Sequence, residues 1–428
     1  MSQMIPVEDD SSGKYAIVKE PYFLFNNTKI NEILGLVILI GVFIAGLIAL
    51  IVVITRLDDT SDKQSLTHRK ILSIVVDGIS ADVIENIAVE IPTMRKIQQI
   101  GCYTRAYVGG DDNNYTQTPA ISAPGYMNLL TENNSAKQIA IFSTWTDNRI
   151  KLIGEGLADA GNITFDYKFD GYEFDEITYP HDSEAQYIFD IDQRVTNETA
   201  TCIKTYGPDL SWVYLQFTDD AGHEFGDSEK FNQAVTNADR QIGQIWEAID
   251  YRMKNYKEDW AIIITTDHGR DPITGADHGN QTPRERTTWI IANGKEMNGY
   301  FKDFQPAIVD IYPTIAKLFG LNIPVESERE LDGVPLTGQV SLIKPNVQLL
   351  NASLHINWTI LDPSGDVKIW LSTTNLFQNG MKDNYDLIEV VPINNNAIVV
   401  DIARYPSNFY KIILEGQYNT INRWVSRL

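Results

Sequence analysis

Three apolar runs in this 428-residue chain hand over to aspartate. Ile71 to Val76 closes on Asp77. Trp212 to Phe217 leads to Asp219, with His223 four residues on. Ala261 to Thr266 closes on Asp267 and His268, and His278 follows in a glycine-rich loop before the next apolar run, Thr288 to Ala292. In an open α/β sheet, strands deliver the residues that follow them to one edge, the carboxyl end, where ligands bind. Carboxylates and imidazoles far apart in sequence can therefore converge. Three Asp and three His suffice for two three-ligand metal sites, and two divalent ions held ~3.5–4 Å apart serve in-line displacement at phosphorus.

From about Arg69 to Ile343 apolar strands alternate with helical patterns at Ala81 to Ile100, Ile150 to Ala160, Phe231 to Met253 and Asp310 to Phe319. Such alternation predicts an α/β domain over 69–343, with a mainly parallel sheet flanked by helices on both faces. Pro345 and Asn346 mark a break. Over 348–428 the runs become short, β-branched and aromatic: Ser353 to Leu361, Val367 to Thr374, Tyr385 to Ile393, Ala397 to Ala403 and Phe409 to Glu415. That texture predicts a small β-sandwich of immunoglobulin-like type.

The amino-terminal end differs in character. Residues 1–32 form a polar tail, 33–55 an uncharged apolar run, and 56–68 a charged linker. The 23 residues from Ile33 to Thr55 are enough to cross a ~30 Å hydrocarbon core. A cleaved leader fits poorly after so long a polar tail. Lysines and arginines flank both sides of the run, so the positive-inside rule does not orient it. Asn114, Asn133, Asn162, Asn197, Asn280, Asn351 and Asn357 each begin an Asn-x-Ser/Thr triplet after the run, which favours a glycoprotein with a single-pass anchor. Its short tail is then cytoplasmic and its body extracellular or lumenal. The net charge of -22 argues against nucleic acid as a partner. Cys102 and Cys202 allow one disulfide or two free thiols. Oligomeric state is left open.

A two-metal site needs a nucleophile. In Thr118-Pro-Ala-Ile-Ser-Ala-Pro-Gly-Tyr126, Ser122 stands two residues before Pro124, and an apolar helical pattern follows. Serine is a favoured N-cap and proline suits the first helical turn. A serine there meets unpaired backbone N–H groups that stabilise an alkoxide or a bound phosphate. A plain cap explains the segment equally well; the metal-ligand residues tip the reading to nucleophile.

Five segments, Val75-Val-Asp-Gly78, Ser122-Ala-Pro124 with Leu130-Thr131, Thr218-Asp-Asp-Ala-Gly-His223, Thr265-Thr-Asp-His-Gly269 and Asp277-His-Gly279, resemble the alkaline phosphatase superfamily in order and spacing over roughly 69–340. The branch they resemble is type I phosphodiesterase/nucleotide pyrophosphatase. The resemblance implies an alkaline-phosphatase-like fold and two zinc ions. Asp77, Ser122, Asp267 and His268 would hold one; Asp219, His223 and His278 would hold the other. It further implies that Ser122 is the catalytic nucleophile, that a phosphoserine intermediate forms, and that the substrate is a small, nucleotide-like phosphodiester or phosphoric anhydride. The chain departs from the family in three places. Ser122 stands where nucleotide phosphodiesterases usually carry Thr, Gly125 where Asn is frequent, and the segment after Thr131 is short. Phosphomonoesterase, sulfatase and catalytically impaired surface-binding readings stand as alternatives. Sulfatase is disfavoured by Tyr126, where its signature needs Arg. His68, His181 and His355 read as surface or core histidines, Asp220 as a ligand-supporting or capping residue, Asp111 and Asp112 as a turn, Asp147 to Arg149 as a helix cap, Arg284 to Thr287 as a solvated charge cluster, and Trp358, Trp370 and Trp424 as sandwich core.

Overall fold

A computed structural model describes residues 69–110, 137–157, 164–294, 296–376 and 381–427. The expected tail, apolar span and linker, together with His68, Asp111, Asp112, Ser122 and the segment after Thr131, lie outside the described residues. Among the described residues no helix is long and apolar enough to cross a membrane.

Seven strands form the central sheet: β1 (Arg69–Val76), β2 (Cys102–Tyr107), β3 (Ile139–Ser143), β4 (Tyr167–Phe169), β5 (Leu210–Leu215), β6 (Asp259–Thr265) and β7 (Thr287–Ala292). Their order is β2-β7-β6-β1-β5-β3-β4. β1 runs parallel to both β5 and β6, and β3 parallel to both β4 and β5, whereas β7 is antiparallel to β6 and β2. The expected mainly parallel α/β sheet is therefore present. Residues 71–76 of β1 are buried throughout, as a central strand covered on both faces requires. Leu72, Ile74 and Val76 join one cluster and Ile71 and Val75 the other, following the two-residue period of a strand.

The first cluster lies under α1 (Ala81–Glu85), α2 (Pro92–Ile100), α3 (Gln186–Thr205), α4 (Phe217–Phe225) and α5 (Glu229–Tyr256). In α5, Val235, Ala238, Ile242, Ile245 and Ile249 recur at helical spacing on the buried side. The helix begins at Ser228, whose side chain accepts from Phe231 N. The other cluster takes in α6 (Ile311–Leu318) and the carboxyl-terminal strands.

Those strands form two further sheets. One joins β8 (Leu342–Leu350), β9 (Ser353–Ile360) and β12 (Ala397–Asp401); the other joins β10 (Asp366–Ser372), β11 (Asp386–Pro392), β13 (Phe409–Glu415) and β14 (Thr420–Ser426). All their pairings are antiparallel. β8 runs through Pro345 and Asn346, where its register with β9 shifts. Trp358 is buried and donates to Ile393 O, while both cysteines are free thiols.

Two helix expectations need correction. The pattern Ala81 to Ile100 breaks into α1 and α2, because Pro92 opens a new helix after an extended Asn86. The described part of the expected helix Ile150 to Ala160, residues 150–157, is not a regular helix: a π-turn over Asn148–Leu152 gives way to turns by Gly154 and Gly156, both at positive φ, and 158–160 lie outside the described residues. Asp147 makes no capping bond there and pairs with Lys151 instead, while Arg149 is held by Asp170 and Glu155.

α3 carries a buried carboxylate that steadies the helix leading to the ligands. Asp192 accepts from Thr144 Oγ1 at 2.5 Å and from Phe217 N, the first residue of α4, at 2.8 Å. Burial pushes this carboxyl up from 3.8 to about 7, against the lowering effect of those bonds. A folded-state value above the unfolded one means that its contribution is full below pH ~4 and is lost as pH rises through ~7. At ~1.4 kcal/mol per pKa unit the span is about 4 kcal/mol. Asp192→Asn is therefore expected to flatten the fall in melting temperature between pH 4 and 7. An unchanged slope would refute this.

Candidate metal centre

The parallel neighbours β5, β1 and β6 point their carboxyl ends the same way, and the ligand-type side chains emerge there. Asp77 follows β1 and is fully buried; Asp267 and His268 follow β6 and are equally enclosed. Asp219 does not sit at a strand end as the sequence pattern suggests. β5 stops at Leu215, and Asp219 occupies the first turn of α4, with His223 one turn further on the same face. His278 comes from the loop after β6.

These six residues converge. His268 Nε2 is 3.1 Å from Asp77 Oδ1 and 3.9 Å from Asp219 Oδ1. His278 Nε2 is 3.7 Å from Asp219 Oδ1, and His223 Nε2 is 3.2 Å from Asp219 Oδ2 and 3.1 Å from His278 Nε2. The His268 and His278 rings stack at 3.7 Å. Two groups offer donors close enough for one ion each: Asp77, Asp267 and His268, and Asp219, His268 and His278. His223 borders the second group and is the most exposed of the six. His268 thus lies between the two groups, whereas the family resemblance assigns it to the first alone.

The donors fit divalent cations. Asp267 Oδ1 accepts from Gly78 N and His268 N, but its Oδ2 is buried without a hydrogen-bond partner, as is His278 Nδ1. Buried polar atoms are ordinarily satisfied, so Asp267 Oδ2 is an atom an ion would complete, whereas His278 turns its other ring nitrogen, Nε2, toward Asp219 and His223. Burial, then the charges of Asp267 and Asp219, push the Asp77 carboxyl well up. Burial also raises Asp219, yet the His223 hydrogen bond and the nearby charges of His268, Arg270 and His278 win and hold it below the usual carboxylate range. Burial would lower His268, but Asp267, Asp77 and Asp219 push it up to about 10; His278 is held down at about 4 by burial and the His268 charge. A protonated His268 must lose its proton to ligate. Divalent-ion affinity is therefore expected to rise by at least about tenfold per pH unit between pH 6 and 9, with at least one proton released, because the Asp77 carboxyl is pushed up as well. Calorimetry in buffers of different ionisation enthalpy reads that proton, and a release of zero would contradict the assignment.

Several supporting residues were not legible. Tyr214, on β5, donates its hydroxyl to Asp77 Oδ2, and Thr218 Oγ1 donates to Asp77 O at 2.5 Å. Arg284 to Thr287 is not a solvated cluster. Glu285 is fully buried and accepts from Asn280 N, Asn280 Nδ2 and Thr282 N, fixing the chain just after His278. Arg284 grips Asp227 and Asp82. Asp220 leaves Oδ2 buried and unpaired on α4; His181 is exposed and stacks on Tyr187.

Residues 140–330 match the family type I phosphodiesterase / nucleotide pyrophosphatase, a range holding five of the six ligand-type residues and omitting Asp77. The resemblance read from the sequence is borne out. A phosphopentomutase of Pseudothermotoga lettingae is 33% identical over 101 residues, 23% of this chain and 23% of its own length, so the chain matches about a quarter of that curated relative. Among solved structures, murine ectonucleotide pyrophosphatase/phosphodiesterase 5, inactive and in complex with AMP, covers 60% of this chain and 96% of its own at 14% identity and TM-score 0.38. The phosphonate monoester hydrolase of Agrobacterium radiobacter covers 83% and 89% at 12% identity and TM-score 0.42. A Bacteroides thetaiotaomicron sulfatase covers 78% and 85% at 11% identity and TM-score 0.41. At those scores nothing about activity transfers from the solved structures.

Proposed function

We propose that this chain, whose residues 140–330 match the type I phosphodiesterase/nucleotide pyrophosphatase family, is a metal-dependent hydrolase of phosphodiester or phosphoric anhydride bonds in nucleotide-like substrates. The observation that carries the reading is the convergence of buried carboxylates and imidazoles around the unpartnered Asp267 Oδ2. Asp77, Asp267 and His268, joined by Ser122, would hold one zinc ion; Asp219, His223 and His278 would hold the other. An imidazole and carboxylate set without cysteine suits zinc, and suits manganese as well. Bound there, the ions would supply Lewis-acid charge that lowers the Ser122 hydroxyl pKa and neutralises charge growing on the phosphoryl oxygens. Ser122 Oγ attacks phosphorus in line, forming an O–P bond as the bond to the leaving oxygen breaks. Water then cleaves the resulting serine-linked phosphodiester, releasing the nucleotide monophosphate and restoring the hydroxyl. Tyr214 and Thr218 orient Asp77 while this happens. The apolar run 33–55 would anchor the enzyme in a membrane, with its body outside the cytoplasm.

A second reading, chemistry on phosphomonoesters, draws on the local identity with a phosphopentomutase. The full-length protein, supplied with zinc, is to be offered a nitrophenyl nucleotide diester, a nitrophenyl phosphate and a nitrophenyl sulfate. Diester turnover supports the proposal, and monoester turnover alone moves the chain to the second reading. Sulfate turnover alone makes it a sulfatase. No turnover by a protein holding two ions points to a surface-binding role.

A further inference from the structure

A single guanidinium touches every segment that carries the second ligand set. Arg270 is fully buried, two residues past His268. Its Nη1 donates to Asp219 Oδ1 at 2.6 Å and reaches Gly78 O, beside Asp77, at 3.4 Å. Its Nε donates to Gly275 O at 2.5 Å and its Nη2 to Ala276 O at 3.0 Å, in the loop that delivers His278. Only arginine offers donors in a planar fork wide enough for such a set of acceptors. The chain also makes room for it. A Cβ at Gly222, on α4 beside His223, would lie 2.2 Å from Arg270 Cζ. A Cβ at Gly78 would lie 2.6 Å from Arg270 Nη1.

We propose that Arg270 is a positioning residue that assembles the Asp219, His223 and His278 ligand set, by fixing the Asp219 carboxylate and anchoring the 275–278 loop. This rests on the metal-centre reading above. Placing a cation beside a cation site weakens attraction for a metal ion, so simple charge attraction does not account for it. The gain is geometric. With Oδ1 taken by Arg270, Asp219 turns Oδ2 toward His223, and Ala276 is held two residues from His278. A ligand set ordered in advance loses less freedom when an ion binds. The first set depends on Arg270 far less. Its own anchors are the Gly78 N and His268 N bonds to Asp267 and the Arg270 backbone N–H bond to Ser80 Oγ, none of which needs the guanidinium.

The test uses full-length protein stripped of metal, then titrated with zinc by equilibrium dialysis and with cobalt(II) by visible absorption. Wild type is expected to take up two equivalents. Arg270→Met should keep one at unchanged affinity and bind the other about 10–100-fold more weakly, the usual effect of losing a residue that orients a ligand. Its cobalt spectrum should match that of His278→Ala and differ from that of His268→Ala. Arg270→Lys keeps the charge without the fork, so it should restore little of the lost affinity. If Arg270→Met does not fold, Gly222→Ala keeps the arginine but crowds it, and is expected to show the same one-site loss. Wild-type binding at both sites in the variant that folds would overturn the proposal, and so would equal weakening at both. Wild type that binds no metal would sink the metal-centre reading itself, a distinct result.

Discussion

Asp267→Asn is expected to leave the protein folded, to cost at least about a thousandfold in phosphodiester turnover, and to raise the melting temperature of the metal-free form. The three effects share one cause. Asp267 is 1% exposed, and its Oδ1 already accepts two backbone N–H groups that an asparagine oxygen would also accept. Local structure should therefore survive. What changes is the buried charge that an ion would answer. Losing the ion removes Lewis-acid stabilisation worth several kcal/mol, and each ~1.4 kcal/mol is tenfold in rate. Without metal the same charge is a burden: Asp77, Asp267 and Asp219 crowd one enclosed space, and burial together with the charges of Asp267 and Asp219 raises the carboxyl of Asp77. Removing one charge relieves it, and a gain of about 1 kcal/mol would lift the midpoint by roughly 2–4 °C. Scanning calorimetry with chelator present, set beside initial rates with zinc, reads both signs. A variant of full activity, or one whose metal-free form melts lower, would remove Asp267 from the proposed centre.

The same physics explains what could be read from the chain. β1, β5 and β6 are legible because a strand covered on both faces must be apolar almost throughout, and few other elements look like that. Their parallel run made convergence of Asp77 with Asp267 and His268 predictable. The sequence pattern places Asp219 at the right edge but on the wrong element; the four-residue step to His223 is the helical signal. β2 is not legible because an edge strand reading Cys-Tyr-Thr-Arg-Ala-Tyr buries little and shows no apolar run. α3 hides its apolar face among many polar residues, with Thr196, Thr199 and Asp192 facing inward. Arg270 and Glu285 look like surface charges, and both are buried. Their burial depends on backbone carbonyls and amides that the loops after β6 present only once folded, which no side-chain pattern encodes.

Ser122→Ala carries the other large expectation: loss of turnover on the order of 10⁴-fold or more, with uptake of both ions retained. Removing a covalent nucleophile forces water to attack directly, and nucleophile deletions in comparable hydrolases cost 10⁴ to 10⁶ or so. Ser122 lies outside the described residues, but its contribution separates from the rest. Asp77, Asp267, His268, Asp219, His223 and His278 remain in Ser122→Ala, so metal stoichiometry should stay at the wild-type value. Asp267→Asn, in contrast, should lose an ion and activity together. Ser122→Thr keeps a hydroxyl of nearly the same acidity and fits the residue usual in nucleotide phosphodiesterases, so it should retain a substantial share of the rate. With the nucleotide diester as substrate, intact-mass measurement after rapid acid quench should show a nucleotidyl adduct in wild type and in Ser122→Thr, and none in Ser122→Ala. If Ser122→Ala turned over at the wild-type rate with both ions bound, Ser122 would revert to a plain helix cap. Attack at phosphorus would then need another nucleophile. If all three proteins bound two ions and none turned over a diester, the metals would be holding a ligand in place without cleaving it. The shorter segment after Thr131 would then be the place to look for what is missing.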